Sequence, residues 1–217
     1  MIRAILFDLD GTLVDRDEAC RRYGFDLMLR RPDVFPPARR AASLRALLEP
    51  ASGNRVRNGW ARRLVSAFPE LGTVEDLAAD FASRMGGFVA PDEATIRMVE
   101  SLKRRYVLGV VSNGAGPVQR AKLDAAGLSG LFEAVLVSAE ERASKPHPAL
   151  FRRALDRVGS LPSQTLFVGD DPSLDVAAAA RVGMSTCWVS RGRDYPAGVA
   201  RPDRTVRRVH DLLETLA

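Results

Sequence analysis

The stretch Ile2-Arg3-Ala4-Ile5-Leu6-Phe7-Asp8-Leu9-Asp10-Gly11-Thr12-Leu13 decides how the rest of the chain is read. Ile2 to Phe7 is a short apolar run that stops at acidic residues and a glycine. A run of that length predicts a buried strand, and its abrupt polar end predicts a functional loop. Asp8 and Asp10 stand two residues apart just past it. Two carboxylates held close repel each other, and a cation relieves the repulsion. Carboxylate oxygens suit magnesium. Read alone, the pair also fits a loop with capping aspartates.

Downstream, residues 15 to 104 contain no comparable apolar run. Helical patterns occur instead near 17–30, 37–48, 56–66, 74–85 and 92–104, punctuated by prolines and glycines. After residue 105 the character changes. Apolar runs at Tyr106–Val111, Ala134–Val137, Thr165–Val168 and Ser185–Val189 alternate with helical patterns near 117–126, 148–158, 173–181 and 207–216. Alternation at this spacing predicts an α/β fold, a Rossmann-like parallel sheet covered on both faces. The core comprises residues 1–14 and 92–217, with a helical unit inserted over residues 15–91.

In such sheets, ligand-binding groups collect on loops beyond the carboxyl ends of the strands. The second strand ends at Ser112-Asn113, Lys145 follows the third, and the fourth ends at Asp170-Asp171 with Asp175 close behind. One sheet edge thus receives carboxylates, a hydroxyl, an amide and an ammonium. Magnesium and lysine would neutralise the acids and a phosphate dianion, while the hydroxyl and backbone amides would hold phosphoryl oxygens. Plainer readings exist for each residue. Asp175 could charge the first turn of a helix, Asp171 could cap it, Ser112 could be a turn serine and Lys145 a solvated lysine. Scarcity speaks against the last, since Lys103, Lys122 and Lys145 are the only lysines among 32 basic residues.

On these residues the chain resembles the haloacid dehalogenase (HAD) superfamily over essentially its whole length. The first motif of that family is matched by Asp8-Leu9-Asp10-Gly11-Thr12-Leu13, and the second by Ser112 with Asn113. The third is matched by Lys145 in Ser144-Lys145-Pro146, and the fourth by Gly169-Asp170-Asp171-Pro172-Ser173-Leu174-Asp175. The resemblance implies that Asp8 is the nucleophile and forms an aspartyl-phosphate. Asp10 would act first as general acid and then as general base. Asp8, the Asp10 main-chain carbonyl and Asp170 would hold magnesium, with Asp171 a rival to Asp170 and Asp175 in support. Ser112 and Lys145 would bind the phosphoryl group, and Asn113 would shape the same pocket or contact substrate. The inserted helical unit takes the place of the family's cap, whose closure would exclude water and select the leaving group.

Within this resemblance, Asp10 favours phosphate chemistry, because the dehalogenases lack that second acid. Residues 15–91 hold no lysine, which disfavours the phosphonatase branch and its cap lysine. The expected activity is hydrolysis of a small phosphorylated metabolite: a sugar phosphate, a phosphoglycolate-like acid or a nucleoside monophosphate. A phosphomutase is the alternative within the superfamily, although residues 15–22 lack the histidine pattern of its cap. A non-catalytic nucleic-acid-binding protein is the alternative outside it.

That last alternative rests on charge. The net charge is +5, and residues 30–64 carry Arg30, Arg31, Arg39, Arg40, Arg45, Arg55, Arg57, Arg62 and Arg63 against Asp33 and Glu49. Such a surface would attract an anionic substrate or nucleic acid. Solvated arginines explain it as well, and no stacking array of aromatics accompanies them. The hydrophobic content of 46% supports a buried core. No run approaches the ~18 apolar residues of a membrane span, and no signal-peptide pattern opens the chain. The expectation is a cytoplasmic protein, either monomer or homodimer. Cys20 and Cys187 suggest neither a disulfide framework nor a zinc site, and His147 and His210 carry no motif.

Overall fold

Ala4–Phe7 forms β1, and all four of its side chains are fully buried. A strand that is apolar at every position must be covered on both faces, so it belongs inside a sheet. In the computed structural model β1 is central to a six-stranded sheet of order β3-β2-β1-β4-β5-β6. The other strands are β2 (Val107–Ser112), β3 (Ala134–Val137), β4 (Thr165–Gly169), β5 (Ser185–Val189) and β6 (Arg204–Val206). All five pairings are parallel. The structure describes residues 1–36, 38, 43 and 59–216.

The α-helices of the described residues are, in chain order, α1 (Arg16–Arg30), α2 (Gly59–Ala67), α3 (Val74–Arg84), α4 (Glu93–Lys103), α5 (Gly116–Ala125), α6 (Ser138–Glu141), α7 (Pro148–Val158), α8 (Ala177–Arg181) and α9 (Leu212–Thr215). The chain divides into two compact units, Met1–Val14 with Pro91–Ala217, and Asp15–Ala90.

The first unit contains the sheet. Its register places Phe7 beside Val110 on β2 and Val168 on β4, so the three central strands end within two residues of one another. Apolar positions of α7 spaced at helical intervals, Leu150, Phe151, Ala154, Leu155 and Val158, pack with Leu6, Val111, Leu136 and Phe167. The rings of Phe151 and Phe167 meet edge to face at 5.1 Å.

The second unit is helical. Asp15 caps α1 by accepting from the Glu18 amide, and Thr73 caps α3 by accepting from the Asp76 amide. Cys20, Tyr23 and Leu27 form the buried stripe of α1. The Tyr23 ring packs edge-on against Trp60, Phe81 and Phe88, with centroids 5.3, 5.0 and 5.7 Å away. Its hydroxyl donates to Asp80 at 2.7 Å, and Arg30 donates to the same carboxylate at 2.8 Å. The arginine-rich segment is partly accounted for here, since Arg30 pairs with Asp26 and Asp80, and Arg31 with Asp33. Arg39, Arg40, Arg45, Arg55 and Arg57 lie outside the described residues, as does nearly all of the helix expected over 37–48.

Three expectations differ from the structure. β6 was not anticipated: it is three residues long, it pairs only with β5, and only Val206 in it is buried. An edge strand so short leaves no apolar run to detect. The helix expected over 173–181 begins instead as a π turn, Pro172–Val176, before α8. The helix expected over 207–216 splits into a 3-10 turn, Val209–Asp211, and α9. Among the described residues no helix is long and apolar enough to cross a membrane.

Candidate active site

Asp8 follows β1 directly, and its amide donates to the Val168 carbonyl of β4 at 2.9 Å. The ladder therefore continues one residue past the strand and fixes the Asp8 backbone at the sheet edge. The chain then folds back tightly. The amides of Leu13 and Val14 donate to the Leu9 carbonyl, and that of Gly11 donates to Val14. Gly11 has φ of 86°, and a β-carbon there would sit 2.7 Å from the Asp170 carboxyl carbon. Glycine thus serves both the turn and the approach of Asp170.

Lys145 is the hub of the acidic cluster. Its Nζ donates to Asp8 Oδ1 at 2.5 Å and to Asp175 Oδ1 at 2.7 Å, and all three residues are buried. Asn113 holds the lysine backbone in place: its amide donates to the Lys145 carbonyl at 2.9 Å, and its Oδ1 accepts from the Lys145 amide at 2.8 Å. The second oxygen of Asp175 accepts from the Asp171 amide at 2.9 Å. Both Asp175 oxygens thus accept hydrogen bonds, one from Lys145 and one from the loop after β4.

The adjacent acids at the end of β4 diverge. Asp170 joins Asp8 and Asp175 in a group whose ligand oxygens lie within 4.8 Å of one another. Asp171 turns the other way and caps the π turn, accepting from the amides of Ser173 and Leu174 at 2.8 and 2.9 Å. Asp170 is further held by Arg193, whose guanidinium donates to its Oδ2 at 3.0 Å and its carbonyl at 2.8 Å. The Trp188 indole donates to that carbonyl too, at 3.0 Å.

Burial drives the Asp8 carboxyl above the ordinary carboxylate range; Lys145 opposes the shift and the charges of Asp175 and Asp10 add to it. Asp170 is pushed up to about 6 by burial and by the Asp8 charge, against the pull of Arg193. Burial likewise raises Asp175. For Lys145, burial acts against the ammonium, but Asp175 and Asp8 more than offset it. A cluster of buried acids that resists ionisation is short of positive charge. Its donors are all oxygens, which fits a hard divalent cation such as magnesium.

Asp10 keeps separate company. Lys122 of α5 donates to both its oxygens, at 2.7 and 2.8 Å, and Gln119 one turn earlier donates to its Oδ2 at 3.0 Å. Gln119 Nε2 also donates to the Ser112 hydroxyl at 2.6 Å. Gln119 and Lys122 are buried. His147 is exposed and caps α7, its Nδ1 accepting from the Ala149 amide at 3.2 Å.

Asp8, Asp10, Ser112, Lys145, Asp170 and Asp175 are therefore brought to one sheet edge. Asp171 lies beside them as a cap, and Asn113 reaches the site through the Lys145 backbone. Reading the sequence missed Gln119, Lys122 and Arg193. Lysine scarcity was a signal for Lys122 in an arginine-rich chain, and the spacing Gln119-x-x-Lys122 puts both side chains on one helical face. Nothing in the sequence marks Arg193 apart from the other arginines.

The sequence matches the pattern of the haloacid dehalogenase-like hydrolases over residues 2–183. It is 37% identical over 139 residues to a phosphoserine phosphatase of Thermus thermophilus, covering 64% of this chain and 55% of that relative. The chain thus spans little more than half of that relative's length. A phosphoglycolate phosphatase of Xylella fastidiosa is 30% identical over 97% of this chain and 91% of its own. Among solved structures, the HAD hydrolase YfnB of Bacillus subtilis, bound to magnesium, superposes with a TM-score of 0.79 over 99% of this chain and 98% of its own. At 20% identity that likeness concerns the fold. With the family pattern matched over most of its length, the chain belongs to the haloacid dehalogenase-like hydrolases.

Proposed function

We propose that the protein hydrolyses a small phosphomonoester through a covalent phosphoryl intermediate on Asp8. The observation that carries this reading is the different surroundings of two acids two residues apart. Asp8 is tied to Lys145 inside the acidic cluster, whereas Asp10 is held outside it by Lys122 and Gln119. Carboxylates in such different surroundings are suited to different tasks.

In this reading Lys145 fixes Oδ1 of Asp8, and the other carboxylate oxygen attacks phosphorus. The ester P–O bond breaks, and Asp10 gives its proton to the departing alkoxide. Asp10 then takes a proton from water, whose oxygen attacks the aspartyl-phosphate and releases Asp8 and inorganic phosphate. The Ser112 hydroxyl and the Lys145 ammonium hold the non-reacting phosphoryl oxygens. Asp8 and Asp170, with the Asp10 main-chain carbonyl, would hold magnesium, and Asp175 would position Lys145. Magnesium, when bound, neutralises phosphoryl and carboxylate charge. Residues 15–91 act as the cap and select the leaving group. The names of the relatives, phosphoserine and phosphoglycolate phosphatase, support small phosphorylated acids as first candidates.

The test is phosphate release from a panel of phosphomonoesters, with magnesium and with chelator. Turnover should require the metal. Asp8→Asn should lower it by about 10³-fold or more while leaving the circular dichroism spectrum unchanged. Metal-dependent turnover that survives in that variant would sink the proposal.

A further inference from the structure

Among the described residues, ion pairs join the four acids at the sheet edge to Lys145 (Asp8 and Asp175), Arg193 (Asp170) and Lys122 (Asp10). The Lys122 pairing has no part in the steps above. The side chain is only 7% exposed and bonds both oxygens of Asp10. Gln119 binds that carboxylate and the Ser112 hydroxyl through one nitrogen. Its presence there is accommodated by Gly114, where a β-carbon would lie 2.9 Å from the Gln119 amide carbon. One face of α5 therefore links Asp10 to Ser112.

The need for such a link follows from electrostatics. Asp10 stands two residues from a cluster suited to a divalent cation and already containing Lys145. With a divalent cation held there beside Lys145, a carboxylate so near would be drawn toward it, and one bound there would lose the position from which it reaches the leaving oxygen. The Lys122 ammonium, bonded to both oxygens, would oppose that pull. Lys122 engages both oxygens and Gln119 only Oδ2, so together they hold the carboxylate in place and distinguish its two oxygens.

We infer that Lys122 and Gln119 are positioning residues that act on the reaction through Asp10, holding its carboxylate out of the acidic cluster and in register with Ser112. The inference rests on the proposed role of Asp10, and a double-mutant cycle separates the two. Single variants Asp10→Asn and Lys122→Met and the double variant are compared by kcat and KM with magnesium, with thermal unfolding as a check on folding. Asp10→Asn should lower kcat by about 10²–10⁴-fold, and Lys122→Met by about 10–100-fold with KM changed little. In the Asp10→Asn background, Lys122→Met should have no further effect. Lys122→Arg, which can still grip both oxygens, should recover part of the lost rate. If the two losses multiply in the double variant, Lys122 acts elsewhere and the inference is wrong. If Asp10→Asn leaves kcat unchanged, the assignment of Asp10 is itself wrong and the inference goes with it. Should Lys122→Met fail to fold, the same cycle is run with Gln119→Leu, for which the same non-additivity is expected and multiplicative losses are equally fatal.

Discussion

At the residue scale, Lys145 bears the greatest electrostatic load. It is nearly inaccessible and faces two buried carboxylates. Removing one member of a buried ion network leaves uncompensated charge and costs about 3–5 kcal/mol. Lys145→Met should therefore lower unfolding stability by that order in denaturant titrations, and a change below about 1 kcal/mol would mean the network is solvated. Much of this site was legible beforehand. Asp8, Ser112 and Asp170 each follow an apolar run, and the parallel sheet brings the ends of such runs together. The choice between Asp170 and Asp171 was not legible. Neighbouring residues at a strand end diverge, and the capping of the π turn by Asp171 depends on local geometry that composition does not encode. Gln119 and Lys122 were missed for a related reason: they reach the site from a helix face, away from any strand end.

At the element scale, the inserted unit rests on a polar junction as well as on its aromatic core. Partial burial works against the Asp80 carboxylate, but hydrogen bonds from Tyr23, Arg84 and Arg30 outweigh it and hold its pKa below the ordinary 3.8. A depressed folded pKa means that the stabilisation is complete above the unfolded value and is lost as pH falls through the folded one. Asp80→Asn should cost about 1–2 kcal/mol near neutral pH. The difference from the parent should shrink below about pH 4, as read from unfolding curves at several pH values. A difference independent of pH would contradict the linkage. The helical pattern expected over 17–30 corresponds to α1, whose buried face is formed by Cys20, Tyr23 and Leu27. The last strand was not legible, because β6 is held by backbone pairing to β5 rather than by apolar burial.

At the scale of the whole molecule, the candidate cation ligands belong to the α/β unit. A metal that binds only the folded state stabilises it by mass action, about 2.7 kcal/mol at one hundred times its Kd. Magnesium should raise the unfolding temperature of the parent protein and do so far less in Asp170→Asn; an equal shift in both would remove Asp170 from the ligand set. The fold alone does not give the reaction, since one fold hosts several chemistries. The central claim is the nucleophile, and it is tested most directly by trapping. Asp10→Asn, which under the proposed mechanism lacks the base for the second half-reaction, is mixed with an aryl phosphate and magnesium, quenched in acid and reduced with borohydride, which converts an acyl phosphate to an alcohol. Peptide mass spectrometry should then find the Asp8 side chain, and no other carboxylate, reduced to homoserine. Release of the aryl alcohol with Asp8 unmodified, or with the label on another residue, would contradict the account.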